Sequence, residues 1–143
     1  MKEIHTEIEI AAPAERVWQI LTDFARYPAW NPLICRVRGE AEAGARLEVH
    51  IRPAGGRAVT FWPTVVVAEP GRELRWRGRL FLPGLFDGEH VFTIEPLGAR
   101  RVRFVQREVF TGLLVPLVAR SLDTGTRRGF EAMNRALREQ AER

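Results

Sequence analysis

The feature that most constrains this chain is a run of strand-like segments joined by hairpin-length turns and followed by one long helical segment. Turn sequences such as EPGR, LPG and LGA separate the segments, and connections that short join antiparallel strands. The six segments are LICRVRG, ARLEVHIRP, RAVTFWPTVVVAEP, ELRWRGRLF, FDGEHVFTIEP and RRVRFVQREVF. Consecutive hairpins of this kind predict an antiparallel meander.

The two ends of the chain supply the remaining elements. The alternating N-terminal EIHTEIEI predicts a further strand, and AAPAERVWQILTDF has the spacing of an amphipathic helix. Pro28 and Pro32 prevent ARYPAWNP from continuing that helix, so two short helices are expected. Helical spacing returns over residues 114–142. The order predicts one α+β domain over residues 1–143, with an antiparallel sheet of about seven strands covered by the terminal helix.

Composition narrows the class of protein. Hydrophobic residues make up 45% and charged residues 28% of the 143, an ordinary globular mixture. No apolar run approaches the ~18–20 residues of a membrane span, and the charged N-terminus is not that of a signal peptide. The single cysteine, Cys35, lacks a partner for an internal disulfide, which fits a reducing cytoplasm. Lys2 is the only lysine, so the pI of 10.4 reflects arginine at a net charge of only +4.

Turn positions predict which residues face each other across the sheet. A turn centred on LPGL places Arg79 opposite Asp87, Arg77 opposite Glu89, and Trp76 opposite His90. A turn at LGAR places Glu95 opposite Arg101, Glu89 opposite Arg107, and His90 opposite Gln106. One face then alternates arginines with acids and favours a solvated ion-pair ladder. No nucleic-acid partner is expected, because binding a phosphate backbone needs unpaired positive charge.

The opposite face is apolar but contains polar groups that do not resemble plain core. The expected register puts Glu108 in one row with Gly78 and Gly88, and His90 beside Trp76 and Gln106. Burying an unpaired carboxylate costs several kcal/mol, so a wet or ligand-filled cavity is predicted at this point. In the strand over residues 57–68 we expect Phe61, Pro63, Val65 and Val67 to face inward, with Trp62, Thr64 and Val66 as the rival face.

The chain as a whole resembles the START-like, helix-grip superfamily, and in particular its bacterial polyketide cyclase/dehydrase or SRPBCC members. The segments that carry the resemblance are IAAPAERVWQILTDFARYPAWNP, GRELRWRG, GEHVFTIEPLG, VFTGLLVP and RRGFEAMNRALRE. The resemblance implies a sheet curved around the C-terminal helix with an apolar cavity between them. Members of the superfamily bind lipids, polyketides, quinones or similar molecules, and some catalyse cyclisation or dehydration.

Three functions follow as alternatives. The first is binding or carrying of a hydrophobic small molecule, with no cofactor or metal. The second is a cyclase or dehydratase that uses Glu108 and His90 as an acid/base pair. The third is a protein-interaction module, which would show a large exposed apolar patch and no cavity above a few hundred Å³. The candidate ligand-binding residues are Trp30, Phe61, Trp76, Gly78, Gly88, His90, Phe92, Gln106, Glu108, Phe130 and Met133.

Two further expectations concern surfaces. Tyr27 and Trp30, in the proline-bounded elbow, either seal an edge of the cavity or only pack the elbow onto the strands. The apolar hairpin tip with Leu80, Leu82, Leu85 and Phe86 is a candidate for transient membrane contact, for a homodimer interface, or for a cover over the cavity mouth.

Overall fold

A computed structural model describes residues 1–53, 56–80 and 84–143. Its strands are β1 (Lys2–Ile10), β2 (Ile34–Arg38), β3 (Glu48–Ile51), β4 (Val59–Phe61), β5 (Thr64–Glu69), β6 (Glu73–Leu80), β7 (Phe86–Gly98) and β8 (Arg101–Thr111). Its helices are α1 (Ala14–Thr22), α2 (Tyr27–Trp30), α3 (Val115–Ser121) and α4 (Arg127–Ala141), with a 3-10 turn at Phe24–Arg26 and a π turn at Leu122–Thr126. This order confirms the α+β class with an antiparallel sheet and a C-terminal helix.

The strands form two antiparallel sheets within the described residues. Five follow the order β1-β8-β7-β6-β5 and three follow β2-β3-β4. The predicted single strand over residues 57–68 is divided at Pro63, because proline has no N–H for the ladder. An isolated bridge pairs Arg46, which lies just before β3, with Thr64 at the start of β5. Phe61, Pro63 and Val65 face inward as predicted. Val67, also expected to face inward, lies opposite the outward-facing Arg75, because a bulge after Val65 puts Ala68 opposite Leu74 instead.

The register of one predicted hairpin is confirmed and that of the next is corrected. In β6 and β7, Trp76 pairs with His90, as the turn at LPGL predicts. In β7 and β8, His90 pairs with Glu108 and not with Gln106, a shift of two residues. The shift arises because Gly98 pairs directly with Arg101 and a bulge follows at Pro96–Gly98.

The corrected register rearranges the charges on the outer face of the sheet. Glu95 lies opposite Arg103 and bonds to it at 3.2 Å, whereas the prediction paired it with Arg101. Glu89 lies opposite Val109, and its carboxylate accepts hydrogen bonds from Arg75 and Arg77, each at 2.9 Å. The acid-and-arginine ladder therefore exists, although its pairs differ from those expected on the β8 side.

The C-terminal segment is helical over most of its predicted length but is interrupted by the π turn. α4 presents a buried face that includes Phe130, Met133 and Leu137 and packs on β1 and α1. Gly129 allows the close approach of α4 to the elbow, since a Cβ there would lie 2.7 Å from Cδ1 of Leu33. A larger residue at this crossing would have to displace the Leu33 side chain, whereas a Cβ on Gly125 in the π turn would have nothing within 4 Å.

The elbow between α1 and β2 packs into the core. Tyr27 is fully buried and its hydroxyl donates a hydrogen bond to the carbonyl oxygen of Leu21. Burial, together with the charge of Asp23, raises the pKa of the Tyr27 phenol well above its ordinary value. Trp30 is half-buried and packs edge-on against Tyr27, with ring centroids 5.2 Å apart. Both aromatics therefore anchor the elbow.

Candidate ligand-binding site

A cavity of about 200 Å³ lies between the inner face of the sheets and the π turn of the C-terminal segment. Its wall is almost entirely apolar, and Glu108 is the acid that it contains. The lining residues are Leu33, Ile51, Pro53, Val59, Phe61, Trp76, Gly78, Arg79, Phe86, Gly88, Glu108, Phe110, Leu122, Gly125, Thr126 and Phe130. This volume exceeds the roughly 150 Å³ of an engineered protein cavity that takes up benzene, and it is below the ~300–1,000 Å³ of drug-sized sites.

Two paired glycines shape the floor of the cavity. Gly78 of β6 and Gly88 of β7 lie directly opposite each other. The ring of Phe61 lies over Gly78, where a Cβ would be 3.2 Å from Cδ2. The carboxylate of Glu108 lies over Gly88, where a Cβ would collide with Oε2. The glycines therefore admit these two side chains, and the open volume lies above them.

The π turn supplies the opposite wall. Leu122, Gly125 and Thr126 line the cavity from this turn. π turns widen a helix locally and are frequent at functional sites. Because Gly125 has open space where a side chain would begin, the helix leaves the cavity unfilled at this point.

Glu108 and His90 form one polar pair at the cavity floor. Nδ1 of His90 is 3.4 Å from Oε1 of Glu108, within ion-pair range but without the alignment of a hydrogen bond. The side chain of His90 is 1% exposed and that of Glu108 is 17% exposed. The pairing follows from the corrected register, which places the two residues directly opposite each other instead of diagonally.

His90 is enclosed by aromatic rings. Its imidazole stacks on Phe92 with ring centroids 4.3 Å apart, and Phe130 and Trp76 lie at 4.9 and 5.4 Å. The enclosure keeps water from His90, so its polar contacts come from protein side chains. The indole N–H of Trp76, which also lines the cavity, has no hydrogen-bond partner among the described residues.

A chain of buried hydrogen bonds extends from His90 to β1. Nε2 of His90 is 2.9 Å from Oε1 of Gln106, and Nε2 of Gln106 donates to Oδ1 of Asn134 at 2.8 Å. Nδ2 of Asn134 donates to the hydroxyl of Thr6 at 2.9 Å, and that hydroxyl donates to the backbone oxygen of Gln106 at 2.8 Å. Three strands and α4 are thus joined beneath the cavity.

The structure separates the candidate residues into three groups. Those on the cavity wall are Phe61, Trp76, Gly78, Gly88, Glu108 and Phe130. Those buried behind it are His90, Phe92, Gln106 and Met133. Trp30 is in the elbow and is not part of the wall. The register shift accounts for Gln106, which lies opposite Phe92 instead of His90, while Glu108 takes the place opposite His90.

Sequence reasoning missed much of the wall. Leu33, Ile51 and Val59 come from elbow and β-strand positions that look like ordinary core, while Leu122, Gly125 and Thr126 belong to the π turn. Of these residues, Gly125 was recognisable from the sequence, because a glycine within a helical pattern indicates a break in the helix or a close approach of another segment.

Two other features of the molecule bear on the choice of site. A second concavity of about 540 Å³ lies beside Cys35 and His50, but its lining includes the exposed Arg36 and Arg38 and no buried polar pair. Over residues 1–53, 56–80 and 84–143, no group of three or more His, Cys, Asp or Glu side chains is placed to hold a metal ion. The cavity with Glu108 is therefore the best candidate for a binding site.

Comparison with known proteins agrees with this geometry. A family model described as polyketide cyclase/dehydrase and lipid transport matches residues 1–142. The chain belongs to this family. No curated protein matches the sequence.

Solved structures extend the likeness. The Zhui aromatase/cyclase from Streptomyces sp. R1128 is 23% identical, with a TM-score of 0.79 over 99% of this chain and 94% of that one. A START superfamily protein from Mycobacterium smegmatis is 23% identical, with a TM-score of 0.77 over 99% and 98%. A norcoclaurine synthase from Thalictrum is 16% identical, with a TM-score of 0.74 over 98% and 93%. At these identities the likeness establishes the START-like fold.

Proposed function

We propose that this protein binds a compact hydrophobic small molecule in the cavity between its sheets and its C-terminal helices. The supporting observation is an apolar cavity of about 200 Å³ whose floor contains Glu108, with His90 buried behind it and 3.4 Å from Glu108. Apolar walls with a few convergent polar groups are the usual design of small-molecule sites. The family, described by polyketide cyclisation or dehydration and lipid transport, agrees with a hydrophobic ligand.

The cavity volume by itself does not distinguish this function from that of a protein-interaction module. Glu108 does, since His90 contacts only its Oε1 atom, and a second carboxylate oxygen in an apolar wall is costly unless a bound group or water contacts it. An interaction module has no need of such a residue at the floor of a cavity, so Glu108 favours ligand binding.

Filling the cavity tests the proposal. Gly125→Leu places a side chain into the open space of the π turn, and we expect it to reduce the affinity for 2-naphthol, measured by calorimetry, at least tenfold. Thr124→Leu is the matched control, because Thr124 is its exposed neighbour and does not line the cavity. Equal affinities for 2-naphthol in both variants and the native chain would show that the ligand binds elsewhere.

The enzymatic alternative is supported by the contact between Nδ1 of His90 and Oε1 of Glu108. A carboxylate held in an apolar site can remove a proton from a carbon next to a carbonyl group, leaving an enolate. The measurement is deuterium exchange at C1 of 2-tetralone, followed by NMR in D2O. Catalysis by Glu108 predicts exchange faster than in buffer, lost in Glu108→Gln while 2-tetralone still binds. Exchange at the buffer rate in the native protein argues against this reaction.

We propose that the ligand comes from a membrane surface. The residues that we propose for the contact lie beside the hairpin tip that the sequence suggested. Leu82 lies outside the described residues, and so does the side chain of Leu80. Phe86 lines the cavity and packs on Phe110. The exposed apolar residues nearby are Leu113 and Leu117, at 79% and 80% exposure.

These two leucines adjoin the hairpin tip, because the N–H groups of Leu113 and Leu114 donate to the carbonyls of Gly84 and Leu85. Arg120 is exposed one helical turn beyond Leu117, which favours an anionic surface. No helix in the described part of the chain is long and apolar enough to cross a membrane. We therefore propose peripheral contact through Leu113 and Leu117, in a cytoplasmic protein whose Cys35 is a free thiol.

Vesicle sedimentation measures this contact. With phosphatidylcholine vesicles containing phosphatidylserine, we expect the double variant Leu113→Asp, Leu117→Asp to lose most binding. Trp62→Asp is the control, since Trp62 is also exposed and apolar but lies between β4 and β5. A native chain that sediments as a dimer, and that the double variant converts to a monomer, would instead assign this surface to a homodimer interface.

A further inference from the structure

Thr6 determines which groups donate and which accept along the buried hydrogen-bond chain beneath the cavity. Oγ1 of Thr6 lies 2.8 Å from the backbone oxygen of Gln106, and a carbonyl oxygen can only accept, so the Thr6 hydroxyl donates. A hydroxyl has one hydrogen, so Oγ1 of Thr6 accepts from Asn134, at 2.9 Å. The Asn134 atom at that contact is therefore its amide nitrogen, and its amide oxygen points to Gln106.

The contacts of Gln106 determine which nitrogen of His90 carries a hydrogen. The Oδ1 atom of Asn134 accepts from Nε2 of Gln106 at 2.8 Å, and that nitrogen also lies 3.4 Å from the backbone oxygen of Phe130. Because both of these oxygen atoms are acceptors, each of them independently requires the amide nitrogen of Gln106 to point toward α4. Its oxygen faces Nε2 of His90 at 2.9 Å, and Nε2 must carry a hydrogen.

Nδ1, the other ring nitrogen of His90, faces Oε1 of Glu108, 3.4 Å away, and one proton can lie on either atom. With the proton on Nδ1, Glu108 is a carboxylate. With the proton on Oε1 and directed at Nδ1, Glu108 is a neutral carboxylic acid and its Oε2 atom is the carbonyl oxygen. In both arrangements, and when the pair has lost the proton, Oε2 is a hydrogen-bond acceptor.

Oε2 is the oxygen of Glu108 that lies over Gly88, and both residues line the cavity. The other oxygen, Oε1, faces His90, and no hydrogen bond between described side chains ends on Oε2. Building on the proposed function, we infer that the ligand presents a hydrogen-bond donor, such as a phenol or alcohol hydroxyl, to Oε2 of Glu108. A carbonyl, ether or carboxylate oxygen of a ligand gains no bond at this position, because it has no hydrogen to donate. Gln106 and Asn134 are positioning residues, because they set the tautomer that makes Oε2 an acceptor.

Three two-ring probes separate this inference from cavity binding in general. Naphthalene tests the apolar cavity alone, 2-naphthol adds a donor, and 2-methoxynaphthalene replaces that donor with an ether acceptor. One hydrogen bond to Oε2 predicts that the native protein binds 2-naphthol about tenfold more tightly than 2-methoxynaphthalene. Calorimetry or displacement of a fluorescent probe provides the affinities.

Variants assign the preference to Glu108. In Glu108→Leu we expect 2-naphthol and 2-methoxynaphthalene to bind within about twofold of each other, since the acceptor is gone. Glu95→Gln is the matched control, because Glu95 is an exposed acid on the outer face of β7 and should keep the native ratio. Equal affinities for the two probes in the native protein would overturn the donor inference while leaving cavity binding intact. If none of the three probes binds, the proposed function fails as well.

The tautomer has an independent readout that needs no ligand. Two-dimensional 15N NMR of the imidazole rings should show Nε2 of His90 carrying a hydrogen in the native protein, with His5 and His50 as internal references nearer the surface. Gln106→Leu removes the acceptor, and we expect a fraction of His90 to move its hydrogen to Nδ1. A native His90 without a hydrogen on Nε2 would overturn the inference, whatever the probes show.

Discussion

At the scale of single residues, the polar side chains buried beneath the cavity matter more for the hydrogen bonds that they donate and accept than for the volume that they fill. Thr6 at 6% and Asn134 at 2% exposure lie in an otherwise apolar interior, where an unpaired polar group costs about 1–3 kcal/mol. Each of them both donates and accepts within the chain that ends at His90. The sequence identified His90 and Gln106 as unusual for a core, but it gave no reason to connect them with Thr6 or Asn134.

Removal of one hydroxyl measures this dependence. Thr6→Val preserves the shape of the side chain but leaves the amide nitrogen of Asn134 without its acceptor, so we expect unfolding free energy to fall by about 1–3 kcal/mol. Urea denaturation provides the measurement. Thr124→Val, at an exposed position, should change stability by less than about 0.5 kcal/mol. Equal losses in the two variants would mean that the buried chain contributes nothing specific.

At the scale of elements, the two-residue register shift between β7 and β8 has the largest consequence. A hairpin with Gly98 opposite Arg101 and a following bulge puts Glu108 beside His90. Side chains alternate between faces, so a shift of two preserves which residues face inward but changes every cross-strand neighbour. This is why the inner and outer faces were predicted correctly while the pairs on β8 were not.

The outer face of the same strands predicts a pH dependence. Burial raises the pKa of Glu89, but hydrogen bonds and charges from Arg77 and Arg75 outweigh it, and the net pKa is lowered. A carboxyl whose folded pKa is depressed stabilises the fold above its unfolded pKa, and that contribution is lost as pH falls through the folded value.

We therefore expect Glu89→Gln to lower Tm at pH 7, with the difference from the native chain shrinking as the pH falls below about 4. Differential scanning calorimetry across this range is the measurement. Glu95→Gln should give a smaller difference at pH 7, because its partner Arg103 provides a single exposed contact. A Glu89→Gln difference that stays constant with pH would contradict the assignment.

At the scale of the whole molecule, ligand binding and stability are linked. A compact ligand that binds only the folded state stabilises it by about 2.7 kcal/mol at a concentration of 100 times its Kd. For a domain of this size, such a gain raises Tm by about 5–10 °C. We expect 2-naphthol to produce a shift of this kind in the native chain and a much smaller one in Gly125→Leu, measured by thermal denaturation. A shift of the same size in both would place the ligand outside the cavity.

The sequence by itself determined the order of the main elements and the inward faces of β6, β7 and β8, which depend on local periodicity and on short turns that neighbouring residues encode. The START-like class came from the resemblance of whole segments to that superfamily. Only the tertiary structure decided the β7–β8 register, the division of the predicted strand at Pro63, the π turn, and the hydrogen-bond chain from Thr6 to His90. The reason is physical: a bulge, a helix crossing over Gly129 and a bond between residues 128 positions apart are set by packing of distant segments. Glu108 beside His90 belongs to this second group.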